Sequence, residues 1–248
     1  MPVKVPPGVD NCWTEDLPHC NLSGDGHCVN LLYRRMGHPV PDHDDEDSHF
    51  RIRHEDGVFL YGIFNGHDGK AVAEYAAQKM PAELLFGQLN VGMSDEEVTE
   101  TIRQAFNSVE SCFLDSLGDS LAARTNILMQ IPRDMAPHHY LTADIATQME
   151  KLNKQISPGA SATLCLILGN KLYVANVGDS RVLLCKRDRQ GELRVMALTE
   201  DHTIDNPDEA LRLNQLGLEE EAIRHFNHPT RCLGDYPRKG GYKEFELL

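Results

Sequence analysis

The 248-residue sequence lacks any run of about 18 apolar residues, so no segment reads as a membrane-spanning helix. Its first residues, MPVKVPPGVDNCW, lack the basic-then-apolar order of a secretory signal. These absences predict a soluble protein of the cell interior, with the cytoplasm as its expected location. Basic charge is also scarce: 24 Lys and Arg stand against 38 Asp and Glu, a formal net charge of −14. No cationic surplus exists to neutralise phosphates, which argues against nonspecific binding to nucleic acid or to an anionic membrane. A paired-cysteine framework is missing too. The seven cysteines are odd in number and scattered, which fits reduced thiols. What the chain does have is 41% hydrophobic residues, enough for a large core.

Residues 1–50 are rich in Pro, Gly, His and Asp, and they include the acidic run PDHDDEDSH at 41–49. They read as irregular, with that run as a solvated loop. A folded domain is expected over 51–248. Residues 58–64 form an apolar strand. A helical period then follows through Val72, Tyr75, Ala76 and Met80, which Pro81 is expected to interrupt or kink. The strongest helix signal is Ser94-Asp95-Glu96-Glu97, a capping-box pattern followed by Val98, Ile102, Ala105, Phe106, Val109 and Phe113 on one face, ending near Gly118. Helical pattern continues over 119–156 with an interruption at IPRDMAPHH. The period then changes. SATLCLIL and KLYVANV are strand-like runs joined by Gly169-Asn170, and Gly178-Asp179-Ser180 turns the chain into a third, RVLLCK. LRVMALT supplies a further strand, and Asn206 caps a short helix that ends at Gly217. Strands and helices cluster without βαβ alternation and without repeats. The class is α+β with antiparallel pairing.

Three segments carry chemistry beyond architecture: GIFNGHDG at 62–69, SPGASATLCLILGNKLYVANVGDSRVLLC at 157–185 and LTEDHTIDNPDEALRL at 198–213. In order and spacing they resemble the metal-dependent serine/threonine phosphatases of the PPM (type 2C) family, which show Asp-Gly-His-Gly-Gly, then Ser-Gly-Ser-Thr-Ala with Gly-Asp-Ser-Arg, then Asp-His-Lys-Pro. CWTEDLPHCNLSGDG, FLYGIFNGHDG, NKLYVANVG, RLNQLGL and LGDYPRKGGYKEFELL further resemble a pseudophosphatase branch of that family, the adaptors that bind the TGF-β-activated kinase. That branch has an Asn-Gly turn in place of Asp-Gly, as at Asn65-Gly66 here.

The resemblance implies a sandwich of two antiparallel sheets flanked by helix pairs, of which this chain holds roughly the first two thirds, truncated toward the C-terminus. On this account 51–248 is an incomplete phosphatase-like domain and 1–50 includes its irregular first part. In active members an aspartate at the position of Asn65 bridges two divalent ions that generate a hydroxide nucleophile, and the next glycine offers its carbonyl. A neutral carboxamide removes a charge shared by two hard cations, and its nitrogen is a poor ligand for Mg²⁺ or Mn²⁺. The degenerate motif positions are therefore Asn65, Gly66, His67, Asp179 and Asp201, with no catalytic residue and no metal cofactor expected. Gly66 and Asp179 are the residual metal candidates. The upstream stretch GDGHCVNLLYRRMG offers neither the family's arginine spacing nor a Glu-Asp pair, with Arg34 and Arg35 as the nearest substitutes. The remaining metal aspartates of the family fall beyond Leu248.

The implied function is that of an inactive adaptor for the TGF-β-activated kinase, which it would help to autophosphorylate, with an inhibitor-of-apoptosis protein as a second partner. The kinase-binding segment of that branch lies in a C-terminal tail that this sequence does not include. The alternative is a residual Mg²⁺- or Mn²⁺-dependent phosphatase, motivated by His67, Asp179 and Asp201-His202. Asn65-Gly66 is also a pair prone to deamidation, which would regenerate some aspartate. Elsewhere, His19-Cys20 and His27-Cys28 match no common zinc spacing, and His138-His139 reads as a surface connection. Cys112 and Cys165 read as packed thiols. Ser157-Pro158 reads equally as a proline-directed phosphorylation site and as a plain turn.

Overall fold

The computed structural model describes residues 24, 26, 46–54, 57–86, 89–130, 142–217, 233 and 246–247. The chain divides between Asp45 and Glu46, and every element described below belongs to the second part. His19-Cys20, His27-Cys28, Arg34, Arg35 and His138-His139 lie outside the described residues.

Strand β1, Asp47–His54, and strand β2, Val58–His67, form an antiparallel hairpin in the register Asp47↔Asn65 through His54↔Val58. Gly57 takes φ +74° in the turn, a left-handed conformation that glycine adopts without steric cost. β1 overturns the solvated-loop reading at 47–49: once Phe50 and Ile52 pack against the core, the residues before them are drawn into the ladder. β2 also runs three residues further than the apolar pattern suggests, through Asn65 to His67. It pairs on its other side with β3, Gly159–Leu168, in the register Asn65↔Ser161. β3 turns at Gly169-Asn170 into β4, Lys171–Val177. The outer edge of β4 is taken by β7, Glu246–Leu247, giving the sheet order β1-β2-β3-β4-β7.

β5, Leu183–Arg187, therefore does not extend the meander. It pairs with β6, Leu193–Ala197, as a separate two-stranded antiparallel sheet. The chain is led away from β4 at Gly178, which has φ +113° and whose carbonyl is engaged by residue 202. Two antiparallel sheets are thus present, as expected, the second being this ribbon among the described residues.

Helix α1, Ala71–Leu85, and helix α2, Asp95–Ser116, cover one face of the large sheet. Leu60 and Phe64 of β2, Leu164 and Leu166 of β3, Met80 and Leu84 of α1 and Ile102 and Phe106 of α2 are fully enclosed. Each such side chain contributes roughly 1.5–3 kcal/mol relative to exposure. The capping box is present: Ser94 Oγ accepts from the Glu97 N–H at 3.3 Å, and the Glu97 carboxylate accepts from the Ser94 N–H at 2.8 Å. All six apolar positions read on the α2 face are buried. α1 differs from expectation, because it continues through Pro81 to Leu85. The proline removes one backbone donor near the helix end, while Met80 and Leu84, both buried, hold the two sides in helical register.

A second helix pair, α3 (Gly118–Met129) and α4 (Ala143–Ile156), packs mainly against itself. Thr142 caps α4 by accepting from the Ile145 N–H. α5, Pro207–Gln215, starts at Asn206, whose side chain accepts from the Asp208 N–H at 3.0 Å. No helix among the described residues is long and apolar enough to cross a membrane.

Candidate functional site

The sheet register aligns the motif residues at one end of the large sheet. Asp47 of β1 lies opposite Asn65 of β2, and Asn65 lies opposite Ser161 of β3. Asp179 follows β4 by two residues. In this row Asn65 Nδ2 donates to Asp47 Oδ1 at 2.6 Å, and Ser161 Oγ donates to Asp179 Oδ1 at 2.8 Å. The amide orientation follows from chemistry, because an oxygen facing the Asp47 oxygen would set two acceptors against each other. Next to the row, the Gly66 N–H donates to the Glu46 carbonyl at 3.2 Å. A Cβ at Gly66 would collide with that same oxygen, so close approach of the backbones fixes glycine here.

Glu46-Asp47 is an acidic pair beside Asn65, outside residues 24–37, the stretch that lacks one in the sequence. The sequence signal for it was available in HFRIRHEDGVFLY: Phe50 and Ile52 alternate, and Asp56-Gly57 marks a hairpin turn. Counting back from that turn sets Asp47 against Asn65.

The turn carrying Asp179 is held by a buried polar network. Thr163 Oγ1 donates to Asn176 Oδ1 at 2.7 Å, and Asn176 Nδ2 donates to the carbonyls of Gly178 and Glu200. His202 is 1% exposed. Its Nδ1 accepts from the Gly178 N–H at 3.0 Å, and its own backbone N–H donates to the Gly178 carbonyl at 3.0 Å. His202 therefore clamps one glycine from both sides, a structural duty for the histidine of the Asp-His motif. A Cβ at Gly178 would strike Ser161 Oγ, and so would displace the group that donates to Asp179.

Asp201 is engaged differently. Arg181 donates to both of its oxygens, with Nε to Oδ1 at 2.7 Å and Nη2 to Oδ2. That guanidinium holds the Asp201 carboxyl below the usual carboxylate range. His67 ends β2 opposite Gly159, and a Cβ at Gly159 would meet its ring. Asp68 then takes φ +58°, and its Oδ2 accepts from Ser157 Oγ at 3.0 Å. Of the two thiols read as packed, Cys165 fits: burial pushes it up to about 11. Cys112 does not, being exposed on the outer side of α2 beside Tyr75.

Among the described residues no group of three or more His, Cys, Asp or Glu side chains converges as a metal site. At the row itself, the two carboxylates accept from a neutral amide and a neutral hydroxyl. The amide N–H points at Asp47.

Comparison with known proteins agrees with this architecture. The family model described as protein phosphatase 2C matches residues 122–245, half of the chain. A Caenorhabditis elegans protein, TGF-beta-activated kinase 1 and MAP3K7-binding protein 1, is 25% identical over 242 residues, covering 96% of this chain and 58% of the relative. Protein phosphatase 2C 1 of Paramecium tetraurelia is 27% identical over 195 residues, covering 77% of this chain and 55% of that protein. The chain thus spans somewhat over half the length of these relatives. Among solved structures, serine/threonine phosphatase Stp1 from Staphylococcus aureus superposes with a TM-score of 0.51 at 14% identity, over 88% of this chain and 68% of that one. A C. elegans sex determining protein gives the same TM-score at 19% identity, over 83% of this chain and 45% of its own. Those two likenesses concern the fold alone. With the matched model, the two antiparallel sheets and the aligned motif row together, the chain belongs to the protein phosphatase 2C family.

Proposed function

We propose that this chain is a pseudophosphatase: a protein phosphatase 2C domain that does not hold the two-metal centre and acts as an adaptor that binds a protein kinase and promotes its activation. The observation that carries this reading is the 2.6 Å bond from Asn65 Nδ2 to Asp47 Oδ1. By the family resemblance a Mg²⁺ or Mn²⁺ centre would take a carboxylate at this position, and an amide already donating to the neighbouring carboxylate would supply it no charge. The kinase partner is proposed as one of the TGF-β-activated class, in keeping with the name of the C. elegans relative, which spans almost all of this chain. The inhibitor-of-apoptosis partner and the cytoplasmic location rest on the sequence reading alone.

A residual phosphatase is the second reading, favoured by Glu46-Asp47 beside Asn65, by Asp179 held in place by Ser161, and by relatives named as phosphatases. Hydrolysis of p-nitrophenyl phosphate and of a phosphoserine peptide across millimolar Mn²⁺ separates the two. The adaptor reading expects no metal-stimulated turnover by the wild-type chain. Turnover by that chain, with Asn65 verified intact by mass, overturns it.

A further inference from the structure

We propose that Ser157 is a phosphoacceptor for a proline-directed serine/threonine protein kinase, and that its phosphorylation releases the C-terminal end of α4 from the Asp68 turn.

Of the thirteen prolines in the sequence, Pro158 is the one that follows a serine or threonine. Ser157 is the C-cap of α4, with φ −72° and ψ −31°, and its hydroxyl donates to Asp68 Oδ2 at 3.0 Å. That bond ties α4 to a turn in which Asp68 holds a left-handed φ of +58°, a conformation that aspartate tolerates better than most non-glycine residues. Ser157 and Asp68 both line a cavity of about 500 Å³, together with Met149, Glu150, Asn153 and Lys154.

The helix pair carrying Ser157 is lightly anchored. α3 buries none of its residues, and α4 buries Leu152 and Ile156. Exposed polar bonds link the two helices, Arg124 to Asn153 at 2.9 Å and Ser120 to Gln155 at 3.0 Å. Elements with so little buried apolar surface open locally at low cost. Opening is required for modification, because Pro158 and Gly159 are buried at the start of β3 and a kinase reads the proline.

In the transfer, Ser157 Oγ attacks the γ-phosphorus of ATP, the new O–P bond forms as the bond to ADP breaks, and the hydroxyl proton passes to the kinase's base. The product places a charge of about −1.5 to −2 where a donor had faced Asp68. Glu150, on the same cavity wall, adds to the repulsion, and the negative end of the α4 dipole adds more. Lys154 is the one cation on that wall among the described residues, and it is paired with Glu150 at 2.9 Å. Closure and phosphorylation thus oppose each other, and the modified chain is held in the opened arrangement.

The test treats the wild-type chain with a proline-directed kinase and ATP, beside a synthetic peptide of residues 151–163 and the Ser157→Ala chain. The expected result is one phosphoryl group at Ser157 in the wild-type chain, none in the variant, and hydrogen exchange over 150–156 accelerated about tenfold or more, as for loss of a charge-assisted hydrogen bond. Phosphorylation of the peptide but not of the folded chain overturns the proposal. So does phosphate at Ser157 with unchanged exchange.

Discussion

Replacing Asn65 by aspartate sets a carboxylate against Asp47 across the 2.6 Å gap now closed by the amide. Two contributions follow. The hydrogen bond to a charged acceptor, about 1.5–3 kcal/mol, is lost. Like charges about 4 Å apart after relaxation repel by about 4 kcal/mol at an effective dielectric of 20, and partial exposure of both residues reduces that figure. A destabilisation of about 2–4 kcal/mol at neutral pH is expected for Asn65→Asp. Its pH dependence has a definite sign. The pair in the variant shares one proton more readily when folded than when unfolded, so one folded pKa is raised. The folded state then binds more protons than the unfolded state, and stability is regained as pH falls toward that raised pKa and lost as pH rises through it. Urea unfolding at pH 5.5 and pH 8, with and without millimolar Mn²⁺, is the assay. The deficit should be larger at pH 8 and should shrink when Mn²⁺ is added, because a cation can sit between the two carboxylates. A variant as stable as wild type at pH 8 without metal would show that Asn65 and Asp47 do not meet as described.

His202→Ala removes the imidazole acceptor from a buried Gly178 N–H and leaves a cavity, and about 2–4 kcal/mol of stability should go with it in urea unfolding. Asp95 accepts from Lys171 Nζ and Tyr173 OH, both at 2.6 Å, which holds its carboxyl below the usual range, the bond from Lys171 being the larger cause. A depressed folded pKa contributes stability above the unfolded value that is lost as pH falls through the folded one. Asp95→Asn should therefore flatten the acid side of the stability profile below about pH 4, the ordinary carboxylate range. Deamidation at Asn65-Gly66 should be slow in the folded chain despite the dipeptide. The Gly66 nitrogen that must attack the Asn65 side chain is donating to Glu46, and the amide is donating to Asp47. Intact mass after prolonged incubation should show no gain in the folded chain and a gain in urea.

Local signals were legible where one short segment decides the outcome. The capping box at Ser94 and the Gly169-Asn170 hairpin are complete within a few residues, and both formed as read. The acidic half of the candidate site was misread for the opposite reason. Charge density at 41–49 reads as solvation, whereas Asp47 is placed by Phe50 and Ile52 further along the strand and by a turn ten residues away. The path of β5 was equally nonlocal, since β4 gives its free edge to Glu246–Leu247 from the far end of the chain. His202 could be picked out by its motif, but its clamp on Gly178 depends on residues 24 positions apart.

The constraints that shape the turns and those that would serve metal chemistry fall on different atoms. Gly66 and Gly178 are fixed by approach distances to Glu46 and Ser161, and neither contact involves a charge. Asn65 lies in a central strand beside Gly66, with ladder partners on both sides. Exchanging a carboxylate for a carboxamide there changes neither backbone pairing nor side-chain volume. The amide donates directly to Asp47, where a carboxylate would need a cation to offset the repulsion, and Ser161 donates in the same way to Asp179. The end of the sheet can in this way stay ordered without any ion. On the adaptor proposal, a strand position can thus carry an amide in place of a carboxylate while the backbone at the end of the sheet keeps its pairing.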